Sequence, residues 1–153
     1  MLGYKEFRFL VAGSGPLEAE VQKAENRLDN LVYLGKLLPA QLIPIYGLCD
    51  IGLQTYSPGS NVDMCDKFYD YTAAGLAVIN SLTGEVSEHI EKNRAGINYV
   101  AGDVDELFKA IVHFQDKNEL EICKSNSFAL GMTFDKNKQN EKLLYVIKQI
   151  IER

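Results

Sequence analysis

The feature that most constrains this chain is an alternation. Five short apolar runs, Phe7–Ala12, Leu31–Leu34, Ile51–Gln54, Ala77–Asn80 and Ile97–Val100, are each followed by a stretch with helical spacing. Leu76–Ile79, short, apolar and partly β-branched, suits a parallel strand buried on both faces. Strands separated by helices pair in parallel, because the crossover brings the chain back to the same end of the sheet. The expected class is therefore α/β, a doubly wound parallel sheet. At 153 residues the chain is long enough for one domain with a substantial core.

The connecting stretches carry the usual helix signals. Gly13-Ser14-Gly15-Pro16 turns the first run into a helix with Pro16 at its first position, and Leu17, Val21, Ala24 and Leu28 form its apolar stripe. A short helix is expected from Gln41 to Gly47, with Pro44 bending it or delaying its start. In Asp66–Gly75, Asp66 caps a helix, Phe68, Tyr71 and Thr72 face a core, and Gly75 ends the helix in a left-handed conformation. Thr83–Ile90 begins another helix, stopped between Asn93 and Gly96. Asp103 with Glu106 resembles a capping box before Leu107, Phe108, Ile111 and Val112. Lys117–Asp135, loosened by Ser125, Asn126, Ser127 and Gly131, is the one candidate boundary. The tail is helical, with Leu143, Val146, Ile147 and Ile150 on one face.

Composition excludes several classes. A net charge of −5 argues against non-specific nucleic-acid binding. No stretch has the apolar length of a membrane span, and Met1–Glu6 lacks a secretory core region. Cys49, Cys65 and Cys123 are odd in number and widely spaced, which fits free thiols in a reducing compartment. With His89 and His113 as its two histidines, the chain cannot build a multi-histidine metal cluster.

Three loops open at the carboxyl ends of expected strands, where ligands of α/β sheets bind. Thr55–Cys65 is long and rich in Gly, Ser, Pro and Asn, and it leads into a helix carrying Lys67 and Asp70 on neighbouring turns. A cation, free N–H groups and a carboxylate together suit a nucleotide, with phosphates at the helix start and sugar hydroxyls at Asp70. A solvated helix cap with packed aromatic neighbours is the commoner reading of the same residues taken alone. Gly13-Ser14-Gly15-Pro16 lets a backbone approach an anion, yet lacks the third glycine of the dinucleotide fingerprint. Thr83-Gly84-Glu85 reads either as a helix cap or as a ligand-facing turn.

Taken in order, these motifs carry a resemblance. Phe9–Pro16, Val32–Gly35, Tyr46–Asp50, Lys67–Ile79, Gly84-Glu85 and Ala95-Gly96 resemble the C-terminal domain of family 4 glycosyltransferases, retaining enzymes of the GT-B fold that use nucleotide-sugar donors. The similarity runs from about Phe7 to Phe114. It implies a Rossmann-like fold, no cofactor and no metal. It also implies a UDP- or GDP-hexose donor, a glycan or lipid-linked acceptor, and a role in polysaccharide synthesis. The implied location is cytoplasmic, with any contact to the inner membrane face made through a separate N-terminal domain.

The resemblance also assigns residues. The acid that binds the donor ribose falls on Asp70, where glutamate is usual. The acid that addresses the donor sugar falls near Val62, with Asp63 beside it, a departure from the family pattern. Lys67 matches a lysine that some members carry in a Pro-Asn-Lys sequence, here replaced by Cys65-Asp66-Lys67. Backbone N–H groups of Met64, Cys65, Asp66 and Lys67 would meet the diphosphate, with the Gly13-Ser14-Gly15 turn beside them. Gly35, Lys36 and Leu37 stand where the family holds the base. No catalytic residue is assigned.

The family's first strand, ending in an Arg and followed by a Lys that clamp the diphosphate, has no counterpart before Phe7. The chain thus resembles part of a two-domain enzyme, inactive alone, with residues 135–153 crossing to the other domain. A non-catalytic Rossmann-like binding module, or half of a nucleotide-sugar epimerase, is the alternative. Because the absent strand normally separates Phe7–Ala12 from Ile51–Gln54, those two are expected to close on each other and pair directly, the alternative being edges that stay apart and are filled by the N-terminus or by another copy of the chain.

Overall fold

The computed structural model describes residues 6–151. The chain divides into two compact units, Met1–Ile45 and Tyr46–Arg153. The class is α/β with every strand pair parallel, as expected.

In the first unit, β1 (Phe9–Ala12) pairs with β2 (Leu31–Gly35), with a register shift between Val11 and Ala12. β1 starts two residues later than its apolar run because the Asn30 side-chain amide donates to the Phe7 carbonyl at 3.0 Å. α1 (Glu18–Glu25) packs against β2, and Glu25 Oε1 accepts from the Tyr33 backbone N–H at 2.8 Å. It also opens later than expected. Gly15 O accepts from Glu18 N, so Pro16 and Leu17 lie in a turn, and Leu17 is exposed rather than part of the stripe. α2 (Pro39–Tyr46) starts earlier than Gln41. Pro39 occupies the first helical position, where its missing N–H costs nothing, and Gln41 Oε1 accepts from Leu38 N at 2.8 Å.

In the second unit, β3 (Ile51–Gln54), β4 (Ala77–Asn80) and β5 (Gly96–Asn98) form a sheet in that order. β4 lies at its centre, with all four residues buried. α3 (Asp66–Ala73) joins β3 to β4, and α4 (Glu85–Asn93) joins β4 to β5. The core packs Phe68 of α3, Val78 of β4, Val86 and Ile90 of α4, Ala95, and Leu130. Burial of that apolar surface is the main stabilising term. α5 (Val104–His113) follows, capped by Asp103, which accepts from Glu106 N at 2.9 Å. The capping box is only half formed, because the Glu106 carboxylate accepts from Val100 N instead.

α3 ends as expected. Gly75 adopts φ +70°, Leu76 N donates to Tyr71 O at 2.9 Å and Gly75 N to Thr72 O at 3.1 Å, the paired bonds of a Schellman motif. Its start is different. The cap is Cys65, extended at φ −128° and ψ 153°, with no side-chain hydrogen bond. Asp66 is therefore the first helical residue, its charge favoured by the positive helix end without capping it.

Lys117–Asp135 is not a boundary. Lys117–Gly131 is one continuous helix, α6, capped by Asp116 and packed on α3 and β4. Its buried residues are Cys123, Ser127 and Leu130, and Gly131 sits directly on the backbone of Thr72 and Ala73. The small residues that weaken the apolar pattern are the ones that allow this close approach. A single turn of 3-10 helix, Met132–Phe134, stacks Phe134 edge-on against Phe68, Tyr69 and His89. α7 (Lys136–Ile151) leaves Leu143, Ile147 and Ile150 exposed.

The expected closure of β1 on β3 does not occur. Among the described residues β1 pairs only with β2 and β3 only with β4.

Candidate functional site

The second unit gathers five of the residues singled out in the sequence. Met64 and Cys65 end the loop after β3, and Asp66, Lys67 and Asp70 follow on the first two turns of α3. Among the described residues no backbone acceptor meets the N–H groups of Met64 to Lys67, and Cys65 offers no side-chain cap. The N–H groups of Asp66 and Lys67 belong to the first turn, at the positive end of the helix, an arrangement that attracts an anion. Lys67 is exposed, and its ammonium lies 5.7 Å from the centre of the Tyr56 ring. That contact is a cation–π interaction of modest strength at an exposed position.

Asp70 is exposed, and its Oδ2 accepts from the Tyr46 hydroxyl at 3.2 Å. Tyr46 is held in turn by an edge-on contact with the Tyr71 ring, at 5.7 Å between centroids and 88°. Burial, then the Asp70 charge and hydrogen bond, push the Tyr46 phenol up to about 12, so it remains a donor at neutral pH. The carboxylate is fixed through one oxygen, and among the described residues its other oxygen has no hydrogen bond.

Asp63, beside the position where the family's first acid falls, has its carboxylate near the opening of α4. A Cβ added at Gly84 would meet its Oδ1 at 3.7 Å. Gly84 is the α4 cap at φ +78° and makes no side-chain bond. At the same ends of the strands, Gln54, Asn80 and Asn98 occupy one register row across β3, β4 and β5. The Asn80 amide donates to Asn98 Oδ1 at 2.9 Å and to Leu82 O at 2.7 Å, which fixes the loop after β4.

The first unit gathers the remaining candidates. Gly13 N donates to Gly35 O at 2.8 Å, and Gly13 O accepts from the Tyr33 hydroxyl at 2.7 Å, so the two glycine turns abut at the carboxyl ends of β1 and β2. Gly13 at φ +143° and Gly35 at φ +65° occupy backbone space that side chains disfavour. Gly15 has no such requirement, and a Cβ there would meet nothing within 4 Å. Ser14 and Lys36 are exposed and Leu37 is half-buried beside Gly35.

Sequence reasoning missed Tyr46 as the partner of Asp70 and Tyr56 as the platform under Lys67. No spacing rule links residues 24 positions apart, and only the tertiary fold brings them together. No group of three or more His, Cys, Asp or Glu is placed to hold a metal among the described residues.

The chain matches the family described as Glycosyl transferases group 1 over residues 3–117. No curated protein sequence matches it. Solved structures do. The Anabaena protein HepE in complex with UDP superimposes with a TM-score of 0.76 at 17% identity, over 95% of this chain and 42% of that one. Sucrose-phosphate synthase from Thermosynechococcus elongatus gives 0.73 at 18%, over 95% and 39%. The pneumococcal O-GlcNAc transferase GtfA, in complex with UDP and GlcNAc, gives 0.71 at 19%, over 97% and 30%. The chain thus spans less than half the length of these structures. At such identities the likeness shows the fold, which is the Rossmann-like α/β arrangement of GT-B glycosyltransferases. The family match covers most of the sequence, and on that ground the chain belongs to the group 1 glycosyl transferases.

Proposed function

We propose that the chain is the donor-binding, C-terminal domain of a two-domain, family 4 retaining glycosyltransferase. In that enzyme a hexose passes from a UDP- or GDP-sugar to a glycan or lipid-linked acceptor during polysaccharide synthesis. The observation that carries the reading is the placement of Asp70 and Lys67. Both are exposed, on adjacent turns at the open start of α3, within the residues that match the glycosyl transferase family.

In this reading Asp70 accepts from the ribose hydroxyls through the oxygen that Tyr46 leaves free. Lys67 and the N–H groups of Met64, Cys65, Asp66 and Lys67 neutralise the diphosphate as it leaves. Gly13, Ser14 and Gly15 leave room for the phosphates, and the backbone of Gly35, Lys36 and Leu37 meets the base. The protein contributes position and charge, with no cofactor and no metal. The acceptor comes from the N-terminal domain, to which the exposed apolar residues of α7 are assigned. The enzyme is cytoplasmic and touches the membrane only through that domain. No helix among the described residues is long and apolar enough to cross a bilayer. Family membership leaves the epimerase reading without support.

The test is Asp70→Ala in the two-domain enzyme. Transfer should fall sharply while the protein stays folded, and unchanged kinetics would remove Asp70 from the site. The 153-residue chain by itself should not turn over a nucleotide sugar.

A further inference from the structure

A second cleft lies in the C-terminal unit, away from the residues assigned to the donor. It is an open cleft of about 490 Å³ between the loop after β3, the loop after β4 and the loop after β5. That volume is in the range of small-molecule sites, roughly 300–1,000 Å³. None of Met64 to Asp70 lines it.

The walls are braced by polar contacts. Ser81 Oγ accepts from Tyr56 N at 2.7 Å, which ties the first loop to the end of β4. Asn98 Nδ2 donates to Ser87 O at 3.0 Å, which ties the end of β5 to α4. The Glu106 carboxylate accepts from Val100 N at 2.8 Å through Oε2. Gly102 lies so close to Pro58 that an added Cβ would meet its ring at 2.9 Å, so the outer two loops touch.

The lining is rich in idle hydroxyls. Among the described residues the side chains of Ser57, Ser60, Thr83 and Ser87 make no hydrogen bond, although all four face this cleft. Pro58, Leu82 and Val100 supply apolar surface beside them. No Lys or Arg lines the cleft, and the charge that does is the Glu106 carboxylate. Hydroxyls, a carboxylate and apolar patches without a cation suit a neutral polyhydroxylated ring and disfavour an anion. We infer that this cleft binds a neutral saccharide unit, a free hexose or one residue of a glycan chain, independently of the donor nucleotide.

The test is a titration of the ¹⁵N-labelled chain, followed by amide shifts, with D-glucose, D-galactose, D-mannose and maltotriose as probes. Glucose 6-phosphate and UDP are titrated in parallel. Saturable shifts at Ser57–Ser60, Thr83–Ser87 and Asn98–Ala101 with at least one neutral probe are expected, and weaker shifts with glucose 6-phosphate. A monosaccharide response marks a free hexose, and a response to maltotriose alone marks a chain. Combining Ser57→Ala with Thr83→Val should weaken binding about tenfold through lost hydrogen bonds. Ser60→Trp, which fills the cleft, should abolish it. No saturable shift at these amides with any neutral probe, or shifts that survive Ser60→Trp, would overturn the assignment. The wild-type titration decides the matter alone if a variant does not fold. UDP shifts at Asp66–Asp70 are read separately and bear only on the donor site.

Discussion

The Tyr46 hydroxyl donates to Asp70 Oδ2 at 3.2 Å, while the Tyr46 ring rests edge-on against Tyr71. The pair holds an exposed carboxylate in one orientation on the second turn of α3. Tyr46→Phe keeps the ring contact and removes only the donor. Affinity for UDP should fall several-fold, about the worth of one hydrogen bond that positions a ligand group. Titration calorimetry on the two proteins measures this, and equal affinities would show that Asp70 needs no such support.

Alkaline pH should destabilise the fold. Burial, followed by the Asp70 charge, pushes Tyr46 up to about 12. Burial, followed by a hydrogen bond with Cys65, pushes Tyr56 up to about 12. Burial raises Tyr71 as well, along with the thiols of Cys49 and Cys123. Each of these groups is held neutral more firmly when folded than when unfolded. The phenols' contribution is therefore complete below the unfolded tyrosine value near 10, and the thiols' below the unfolded cysteine value near 9; for Tyr46 and Tyr56 it is lost as pH rises toward 12. Denaturation midpoints measured from pH 9 to 12 should fall across that window, and less steeply in Tyr46→Phe. A midpoint that stays constant to pH 12 would contradict the burial of these phenols.

Gly131 should tolerate no side chain. A Cβ there would lie 2.5 Å from the Thr72 carbonyl carbon and oxygen, and that backbone cannot swing aside. Gly131→Ala should cost about 1–3 kcal/mol, the usual range for overpacking. Urea denaturation of the variant checks it, and wild-type stability would mean that α6 rides more loosely on α3 than the packing indicates.

The order of strands and helices was legible because each element carries its own local signal. Leu76–Ile79 is apolar throughout, and Gly75 needs its left-handed turn whatever surrounds it. Elements stabilised by tertiary contact were less legible. The buried face of α6 is Cys123, Ser127 and Leu130, too small and polar to show as an apolar stripe, yet small enough to sit on α3. Asp66 looked like a cap because its chemistry suits one, but capping depends on where the backbone turns, and it turns at Cys65. At the site, Lys67 and Asp70 were readable from their spacing on one helix. Their aromatic supports, Tyr56 and Tyr46, lie 11 and 24 residues upstream and declare themselves only through the fold.

The most direct test of the donor-binding account is a UDP titration of the ¹⁵N-labelled chain and of its Asp70→Ala variant. The account predicts saturable shifts at Met64–Asp70, Gly13–Gly15 and Gly35–Leu37 in the wild type. It also predicts affinity reduced at least about tenfold in the variant, the equivalent of roughly 1.4 kcal/mol, with its thermal midpoint preserved. No shift at those amides under saturating UDP, or equal binding by a folded Asp70→Ala variant, would contradict it.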